Sequence, residues 1–335
     1  MMAVVSYFLA FILAVLLVYV LRYSGRLRFR LEESFSVSSE DLASTIADLD
    51  TWIQWDPWQD HDVIVLPQVE RDDAGRPVSF SWQSEKAPKI LVVNRGPLRK
   101  GCFVQRLYGS APFSFKGNLT WVIEPDGEHA KLTLSFKGRV GFAQRAFAKT
   151  VQKMLSLDFS YALNKLEDYF ANQSGSGQRS GYRIQYSGAC SVAARALVAR
   201  EYEGVSKNIG LALQPLIANM KAEISPENQL AEAEVHYLQT NLKTGITKCK
   251  YGIQPDSKIE ASNLQCAPCL TFVTRLYGDL KGLEVAWYLA MQQIRVSGDQ
   301  PDQRIPPFER YHYQLVSGVA EVAYVDLYFP IKKLG

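Results

Sequence analysis

The hydrophobic positions of the chain fall into three successive patterns. The first 21 residues, "MMAVVSYFLAFILAVLLVYVL", carry no charged side chain, and a helix of that length crosses a hydrocarbon layer of about 30 Å. From Leu31 onwards, short runs of alternating apolar and polar residues are separated by turn residues, which predicts an antiparallel meander of strands. Between Phe142 and Phe170 the apolar residues recur every three or four positions, which predicts one long amphipathic helix.

The flank of the apolar segment predicts its orientation. Arg22, Arg26, Arg28 and Arg30 follow it closely, and no basic side chain precedes it. The positive-inside rule then places the bulk of the chain in the cytoplasm, so residues 1–22 are expected to form a single-pass transmembrane anchor in the cell inner membrane of a bacterium. A cleaved signal peptide is the alternative, but its basic n-region, shorter apolar core and small-residue cleavage site are missing. The arginines either contact anionic headgroups or serve only as a stop-transfer flank.

Composition divides the remainder of the chain into two domains. The stretch "ANQSGSGQRSG" at 171–181 has the composition of a flexible linker. We therefore expect one domain over residues 31–171, a linker over 172–181 and a second domain over 182–335.

The second domain contains an internal repeat. An offset of 75 residues matches "VAREYEG" at 198–204 with "VTRLYGD" at 273–279, and it also matches Glu234 with Glu309. Each copy has the pattern of a strand, a helix and two further strands, which predicts a duplicated βαββ unit. Two such units pair into one antiparallel sheet with both helices on one face, and a ligand groove is expected on the helix-free face at the pseudo-twofold axis. The predicted fold class is α+β.

Composition and charge exclude several functional classes. The net charge of +3 over 335 residues is too small to predict a nucleic-acid partner, and five cysteines do not suggest a disulfide scaffold. Cys266 and Cys269 precede a β-branched run, so we expect them to be small hydrophobes rather than a redox pair. The four histidines show no metal-ligand spacing, and no metal or cofactor is predicted. The residues interpreted as solvated loop charges are Asp56, Asp60, His61 and Asp62.

The strand-like run "FERYHY" at 308–313 holds the main candidate for chemistry. Alternation places Glu309, Tyr311 and Tyr313 on one face and His312 on the other, so no acid–base pair between Glu309 and His312 is expected. A carboxylate among aromatic rings can receive a cation or polarise a water. A lone strand glutamate is also commonly a solvated edge charge, and this run alone leaves both interpretations open.

The first domain resembles a known superfamily at both of its ends. The stretch "SFSVSSEDLASTIADLDTWIQWDPW" resembles the opening of polyketide-cyclase/START-like (SRPBCC) proteins, and "MLSLDFSYALNKLEDYF" resembles their closing helix. The resemblance implies a helix-grip fold with a cavity between sheet and helix. Members of the superfamily bind lipids, hormones or polyketides, and some are enzymes. Trp52, Trp55 and Trp58 either form a binding box or plug the mouth of the sheet, and their size favours the plug.

The second domain resembles another family. The stretches "LTFVTRLYGDLKGLEVAWYLAMQQI", "PPFERYHYQ" and "AEVAYVDLYFPIKK" are similar to the GyrI-like small-molecule-binding domain, the effector-binding domain of multidrug-sensing activators. The resemblance implies that Glu309 lies at the floor of an aromatic-lined groove for cationic, planar or hydrophobic guests. The expected ligand-binding residues are Glu309, Tyr311, Trp287 and Tyr277, although Trp287 belongs to the inward face of its predicted helix. The positions that match the family pattern are Gly278, Pro306, Glu309, Tyr311, Pro330, Lys332 and Lys333.

These observations favour a binding protein over an enzyme. We expect a membrane-tethered cytoplasmic sensor of small amphipathic or hydrophobic molecules, cations among them. One alternative is a small-molecule hydrolase that uses Glu309 as general acid or base, and no other catalytic residue is predicted. Another is an inhibitor-type module that binds a protein partner. No nucleic-acid partner is expected.

Overall fold

The computed structural model describes residues 22–58, 67–82, 90–99, 101–110, 112–174, 181–205, 209–224, 228–241, 246–254 and 262–332. The chain divides into two compact units, Met1–Gln178 and Arg179–Gly335. The division falls within the stretch where the sequence predicts a linker, and the residue limits of the two domains stay predictions. Both units combine helices with antiparallel sheet, which confirms the mixed α+β class.

The first unit is built on one antiparallel sheet. Its strands are β1 (Arg26–Phe35), β2 (Gln68–Arg71), β3 (Pro77–Trp82), β4 (Ile90–Arg99), β5 (Cys102–Gly109), β6 (Phe115–Asp126) and β7 (His129–Val140). Its helices are α1 (Ser39–Ala47), α2 (Trp52–Trp55) and α3 (Ala148–Ser174), and a 3-10 helix, Phe142–Phe147, precedes α3. Among the described residues the strand order is β1-β7-β6-β5-β4-β3-β2. Strands β2 to β7 form the predicted meander. Strand β1 pairs with β7, although the two are far apart in sequence, and so forms one edge of the sheet.

Aromatic side chains fill the inner face of this sheet beneath α3. Trp52, Trp55 and Trp58 are all buried. Trp52 packs edge-on against Trp121 of β6, and Trp58 packs edge-on against Phe159 of α3. The indole N–H groups donate to the carbonyl oxygen of Ile46, the hydroxyl of Thr51 and the carboxylate of Asp158. The tryptophans therefore act as a plug between sheet and helix and do not line an open binding box.

The second unit is built on a larger antiparallel sheet. Its helices are α4 (Ile209–Ile224) and α5 (Leu283–Ser297), and the 3-10 turn Leu280–Gly282 leads into α5. Its strands are β8 (Tyr182–Val192), β9 (Arg195–Val205), β10 (Ala233–Asn241), β11 (Ile246–Ile253), β12 (Leu264–Cys266), β13 (Cys269–Gly278), β14 (Gln300–Pro301), β15 (Phe308–Val316) and β16 (Val319–Lys332). In the part of the chain that is described, the order is β12-β9-β11-β10-β15-β16-β13-β8, and β14 pairs with β16.

The strand order shows the duplicated βαββ arrangement that the sequence predicts. Strands β10 and β15 lie side by side and antiparallel at the centre of the sheet. In the central strands, however, the offset of 75 residues that the sequence suggests is wrong by one residue. Val235, not Glu234, lies opposite Glu309, and Val235 packs in the core beneath the helices. Glu234 faces the other side of the sheet, so the offset pairs residues from opposite faces.

The side of the sheet that carries Glu309 also differs from the expectation. Tyr311 shares its face with Glu309 and packs in one buried cluster with α4 and α5. The predicted groove on the helix-free face is therefore wrong for Glu309, which lies on the helix-covered face. Alternation of side chains fixes which residues share a face, but it does not tell which face the helices cover.

The predicted membrane anchor falls almost wholly on residues 1–21, which lie outside the described residues. Among the helices that the structure describes, none is long and apolar enough to cross a membrane. The same limit applies to Asp60, His61 and Asp62 of the acidic loop and to Lys333. Asp56 is described, and its interpretation as a solvated charge is wrong: it is fully buried, and its carboxylate accepts a bond from the backbone N–H of Trp58.

Candidate functional site

A buried carboxylate with three neutral donors forms the centre of the second unit. Glu309, in β15, has 0% exposure. Its Oε1 accepts hydrogen bonds from the hydroxyl of Tyr237 at 2.8 Å and from the indole Nε1 of Trp287 at 2.5 Å. Its Oε2 accepts a bond from the hydroxyl of Tyr311 at 2.6 Å. The strand β10, the helix α5 and the strand β15 thus each supply one donor.

Local structure explains why these side chains meet. Asp279 accepts a bond from the backbone N–H of Lys281 and so caps the turn that leads into α5. The register of β10 shifts just after Tyr237, and the N–H of Tyr237 donates to the carbonyl of Pro307 at 3.0 Å. Such a bulge can re-aim a side chain, and Tyr237 points here toward α5, with its ring 5.4 Å from that of Trp287.

A glycine allows the second helix to approach the same place. A Cβ atom at Gly210, in the first turn of α4, would lie 2.8 Å from the hydroxyl oxygen of Tyr311. Such a contact is too short for real Cβ atoms, so a side chain here would displace Tyr311 or the helix. The small residue therefore lets α4 pack onto the hydroxyl that donates to Glu309.

Burial makes Glu309 titrate near neutral pH. Loss of hydration raises the pKa of this carboxyl to about 7, although the bonds from Tyr311, Trp287 and Tyr237 oppose the rise. Within the described ranges no Lys, Arg or His forms an ion pair with it. Burial and the adjacent carboxylate raise the pKa of Tyr237 and of Tyr311 well above the usual range, so both hydroxyls stay protonated donors.

A cavity of about 310 Å³ opens beside these donors, between the first turns of α4 and α5. Tyr237 and Trp287 form its wall next to Glu309. Its apolar lining comes from Ile209, Gly210, Leu280, Leu283 and Pro307, and its polar lining from Thr240, Thr247, Lys281 and Glu284. Glu309 itself does not line the cavity. A molecule in it would therefore contact the two aromatic side chains and meet the carboxylate through their hydrogen bonds.

The structure brings together three of the four residues predicted to bind a ligand. Glu309, Tyr311 and Trp287 form one hydrogen-bonded group. Tyr277 is elsewhere: its ring lies 5.6 Å from that of Tyr324 on the other face of the sheet, with the guanidinium of Arg183 over it. Tyr277 is therefore separate from the Glu309 group, because position 277 alternates onto the face opposite the helices, and its role in ligand binding stays a prediction.

His312 and Tyr313 lie where alternation predicts. His312 is on the face away from Glu309, within 3.1 Å of the carboxylate of Asp326, and its ring stacks on Tyr324. Tyr313 stays on the helix side, where the amine of Lys221 lies over its ring. No acid–base pair between Glu309 and His312 is formed.

Sequence reasoning missed Tyr237, which is a donor to Glu309 and also part of the cavity wall. The signal was present in "VHYLQ" of β10. If the two copies of the repeat are aligned one residue differently, Tyr237 matches Tyr311 and Val235 matches Glu309. The alignment by identical letters favoured the two glutamates and hid this match.

A second ionic cluster occupies the helix-free face. Both carboxylate oxygens of Glu234 accept bonds from Arg195, at 2.6 and 2.7 Å, and Arg310 donates to it at 2.9 Å. His236 lies 2.8 Å from the same carboxylate, and the thiol of Cys266 lies 3.8 Å from His236. Glu234, His236 and Cys266 are close enough to ligate one metal ion. However, two guanidinium groups already occupy the carboxylate, which is the pairing expected of a structural ion network.

The chain matches no protein-family model, and no curated protein matches its sequence. Among solved structures it is similar to a START superfamily protein from Mycobacterium smegmatis, with 16% identity and a TM-score of 0.34, covering 44% of this chain and 98% of that one. It is also similar to a protein from Thermus thermophilus, with 18% identity, a TM-score of 0.32, and 44% and 99% coverage. A third similar chain is EcmrR from a cryo-EM structure of an EcmrR–DNA complex, with 13% identity, a TM-score of 0.36, and 57% and 71% coverage.

Proposed function

We propose that the second unit binds a small amphipathic or hydrophobic molecule in the cavity beside Tyr237 and Trp287, and that the chain is a membrane-tethered binding or sensing protein with cytoplasmic domains. The observation that carries the proposal is the placement of Glu309: a fully buried carboxylate, without a cationic partner among the described residues, directly behind the aromatic wall of a cavity. Such a combination of apolar lining, a few polar groups and a perturbed acid is typical of ligand sites.

The cavity favours a compact ligand with an apolar body. Its volume of about 310 Å³ is at the lower end for small-molecule pockets. The charged lining residues, Lys281 and Glu284, carry opposite signs. We therefore expect Glu309 to determine whether the site prefers charged or neutral ligands, through its electrostatic effect across the side chains of Tyr237 and Trp287.

Glu309 gives the site a preference for cations over neutral molecules, and this preference depends on pH. Above pH 7 the carboxyl is an anion in an apolar setting, and a cation held against the adjacent rings would stabilise that anion. Below pH 7 the neutral acid has no such preference. We therefore expect hydrophobic cations to bind more tightly as the pH rises through 7, whereas neutral molecules of the same shape gain nothing.

The alternatives have less support from the geometry. A hydrolase would need Glu309 to face a water or a substrate, but its oxygens already accept three bonds and have no exposure. No observation favours an inhibitor-type protein contact. The membrane tether rests on the apolar run of the first 21 residues and its arginine flank.

The test compares two molecules that differ only in charge. Benzyltrimethylammonium and its neutral isostere neopentylbenzene would be added to the full-length chain in mild detergent, and thermal unfolding followed at pH 6 and pH 8.5. A ligand at 100 times its dissociation constant adds about 2.7 kcal/mol to the free energy of unfolding. We expect the cation to stabilise the wild type more at pH 8.5 than at pH 6.

The matched variants are Glu309→Gln and Glu321→Gln. Glu321 is an exposed residue of the neighbouring strand β16, so the same chemical change there should leave the response intact. Glu309→Gln should abolish the pH dependence of the cation effect. If neither compound stabilises the wild type, or if Glu309→Gln responds like Glu321→Gln, the proposed site is wrong.

A further inference from the structure

Six basic side chains share the outer face of the first unit's sheet, at the end where β1 begins. They line an open depression of about 550 Å³. This basic face consists of Arg26, Arg28, Arg106, Lys116, Lys137 and Arg139. The register places Arg139 between Arg26 and Lys116, and it places Lys137 beside Arg28. Like charges directly opposite each other destabilise a sheet, so this arrangement opposes folding.

Nearby acids do not offset the repulsion. Among the described residues none of the six cations forms an ion pair with a carboxylate, and no acidic residue lines the depression. Further along the same two strands the pattern changes, because Glu32 pairs with both Arg30 and Lys131. The sheet therefore neutralises basic residues away from the basic face and leaves those on it available to an external anion.

Exposed aromatic rings lie at the same end of the sheet. The 3-10 helix Phe142–Phe147 follows directly after β7, and Phe142 and Phe147 are each 51% exposed. The N–H of Val140 donates to the carbonyl of Gly25 at 3.0 Å, which holds this turn beside the start of β1. The guanidinium of Arg145 lies over the ring of Phe142. Large exposed rings are unfavourable in water and favourable at the boundary between lipid headgroups and acyl chains.

The sequence places an apolar run close to this end. The uncharged stretch 1–21 stops five residues before Arg26, and five residues span at most about 18 Å. A membrane that holds this run would therefore lie within reach of the basic face.

We propose that the basic face, together with Phe142 and Phe147, docks the first unit on an anionic phospholipid surface. The six cations meet lipid phosphates and carboxylates, and the two rings insert among the headgroups. A duplex nucleic acid or a free phosphate would use the cations but leave the rings in water, so the exposed rings favour a membrane. This surface goes beyond the ligand site of the second unit and does not depend on it.

The test measures which lysines a membrane protects. The full-length chain is reconstituted into vesicles of phosphatidylcholine alone or with added phosphatidylserine, and lysine amines are labelled and quantified by mass spectrometry. We expect several-fold less labelling of Lys116 and Lys137 on the anionic vesicles, and restoration of labelling at high salt. Lys131 is the internal control, since it lies on the same strand as Lys137 but pairs with Glu32. Equal labelling in the two vesicle types would overturn the proposal, as would equal protection by duplex DNA or inorganic phosphate.

Two variants separate charge from ring insertion. Lys137→Glu with Arg139→Glu should remove the protection of Lys116, whereas Arg95→Glu with Arg295→Glu should keep it. The control pair is exposed, lies off the basic face and changes the net charge equally. Phe142→Ser with Phe147→Ser retains every charge and alters only exposed side chains, so it should fold and show weaker protection. Unchanged protection in this last variant would overturn the membrane assignment.

Discussion

Glu234 and Glu309 lie on neighbouring strands, and both are buried, yet their electrostatic surroundings are opposite. Burial by itself would raise the pKa of Glu234, but His236, Arg195 and Arg310 outweigh it and lower that pKa to about 2. Among the described residues, Glu309 receives bonds only from neutral hydroxyl and indole groups, and burial raises its pKa to about 7. The two faces of one sheet thus hold one permanent anion and one acid that changes charge near neutrality.

The comparison shows that the charge of the donors, rather than burial, decides what a buried carboxylate can do. Glu234 is fixed as an anion by its guanidinium partners, which suits a structural role. Glu309 is held in place by uncharged donors rather than by a cation, and it lies behind the wall of a cavity. A guest in that cavity can therefore change its protonation, and protonation can change the affinity for the guest.

The largest loss of stability is expected for Glu234→Gln, which removes the anion from the ionic cluster on the helix-free face. The change leaves Arg195 and Arg310 without their anionic partner, and removal of one partner from a buried ion pair costs about 4 kcal/mol of unfolding free energy. Urea denaturation at pH 7 measures the loss. The control is Glu32→Gln, which removes two exposed pairs, each worth at most about 1 kcal/mol. Equal losses in the two variants would contradict the structural role of Glu234.

The pH dependence of stability should differ in sign for the two acids. Because the folded pKa of Glu234 lies below its ordinary 4.5, its contribution is present above pH 4.5 and is lost as the pH falls toward 2. Because the folded pKa of Glu309 lies above 4.5, its contribution is present below pH 4.5 and is lost as the pH rises through 7. Relative to wild type, Glu309→Gln should therefore gain about 3 kcal/mol between pH 4.5 and pH 8. Urea titrations at both pH values measure this gain, and an unchanged difference would refute the buried-acid interpretation.

A smaller effect is expected for Trp287→Phe, which keeps the ring but removes the indole N–H. Loss of one donor to a buried carboxyl should cost about 1.5 kcal/mol. Since the bond from Trp287 lowers the pKa of Glu309, the pKa should rise further in this variant. The temperature of unfolding at pH 6 and pH 8.5 tests both points. A loss of stability relative to wild type that is larger at pH 6 than at pH 8.5 would contradict the expected rise in the pKa of Glu309.

The smallest effect is expected for Tyr277→Phe. The ring of Tyr277 packs on the helix-free face, so the change should leave the affinity for a cavity ligand within about twofold. Tyr237→Phe, which removes a donor to Glu309 from the cavity wall, should weaken the binding of benzyltrimethylammonium by more than this. Calorimetric titration of both variants gives the comparison, and a stronger effect at Tyr277 would reverse the assignment of the two faces.

Local rules predict much of this fold from the sequence. The helix α1 begins after Ser38, whose hydroxyl accepts a bond from the N–H of Asp41 as a cap should. Helix α5 ends at Gly298 in a left-handed conformation, which is the usual role of a glycine at the end of a helix. Alternation along β15 groups Glu309, Tyr311 and Tyr313 correctly, because strand periodicity depends only on neighbouring residues.

The remaining features depend on tertiary structure. The helix-side location of Glu309 follows from how α4 and α5 pack, which strand periodicity does not encode. Tyr237 was missed because matching the repeat by identical letters shifted the strands by one residue, and such a shift exchanges the two faces of a strand. The ion pairs of Glu234 join residues 39 and 76 positions apart, beyond the reach of a local pattern.

The most direct test of the central claim is the protonation of Glu309 itself. Infrared difference spectra between wild type and Glu309→Gln, recorded as a function of pH on the full-length chain, isolate the carbonyl band of this one protonated acid. We predict that the band is present at pH 6, disappears with a midpoint near 7, and moves to a lower midpoint when benzyltrimethylammonium is bound. A band that is already lost near pH 4.5, or a midpoint that does not respond to the cation, would contradict the account.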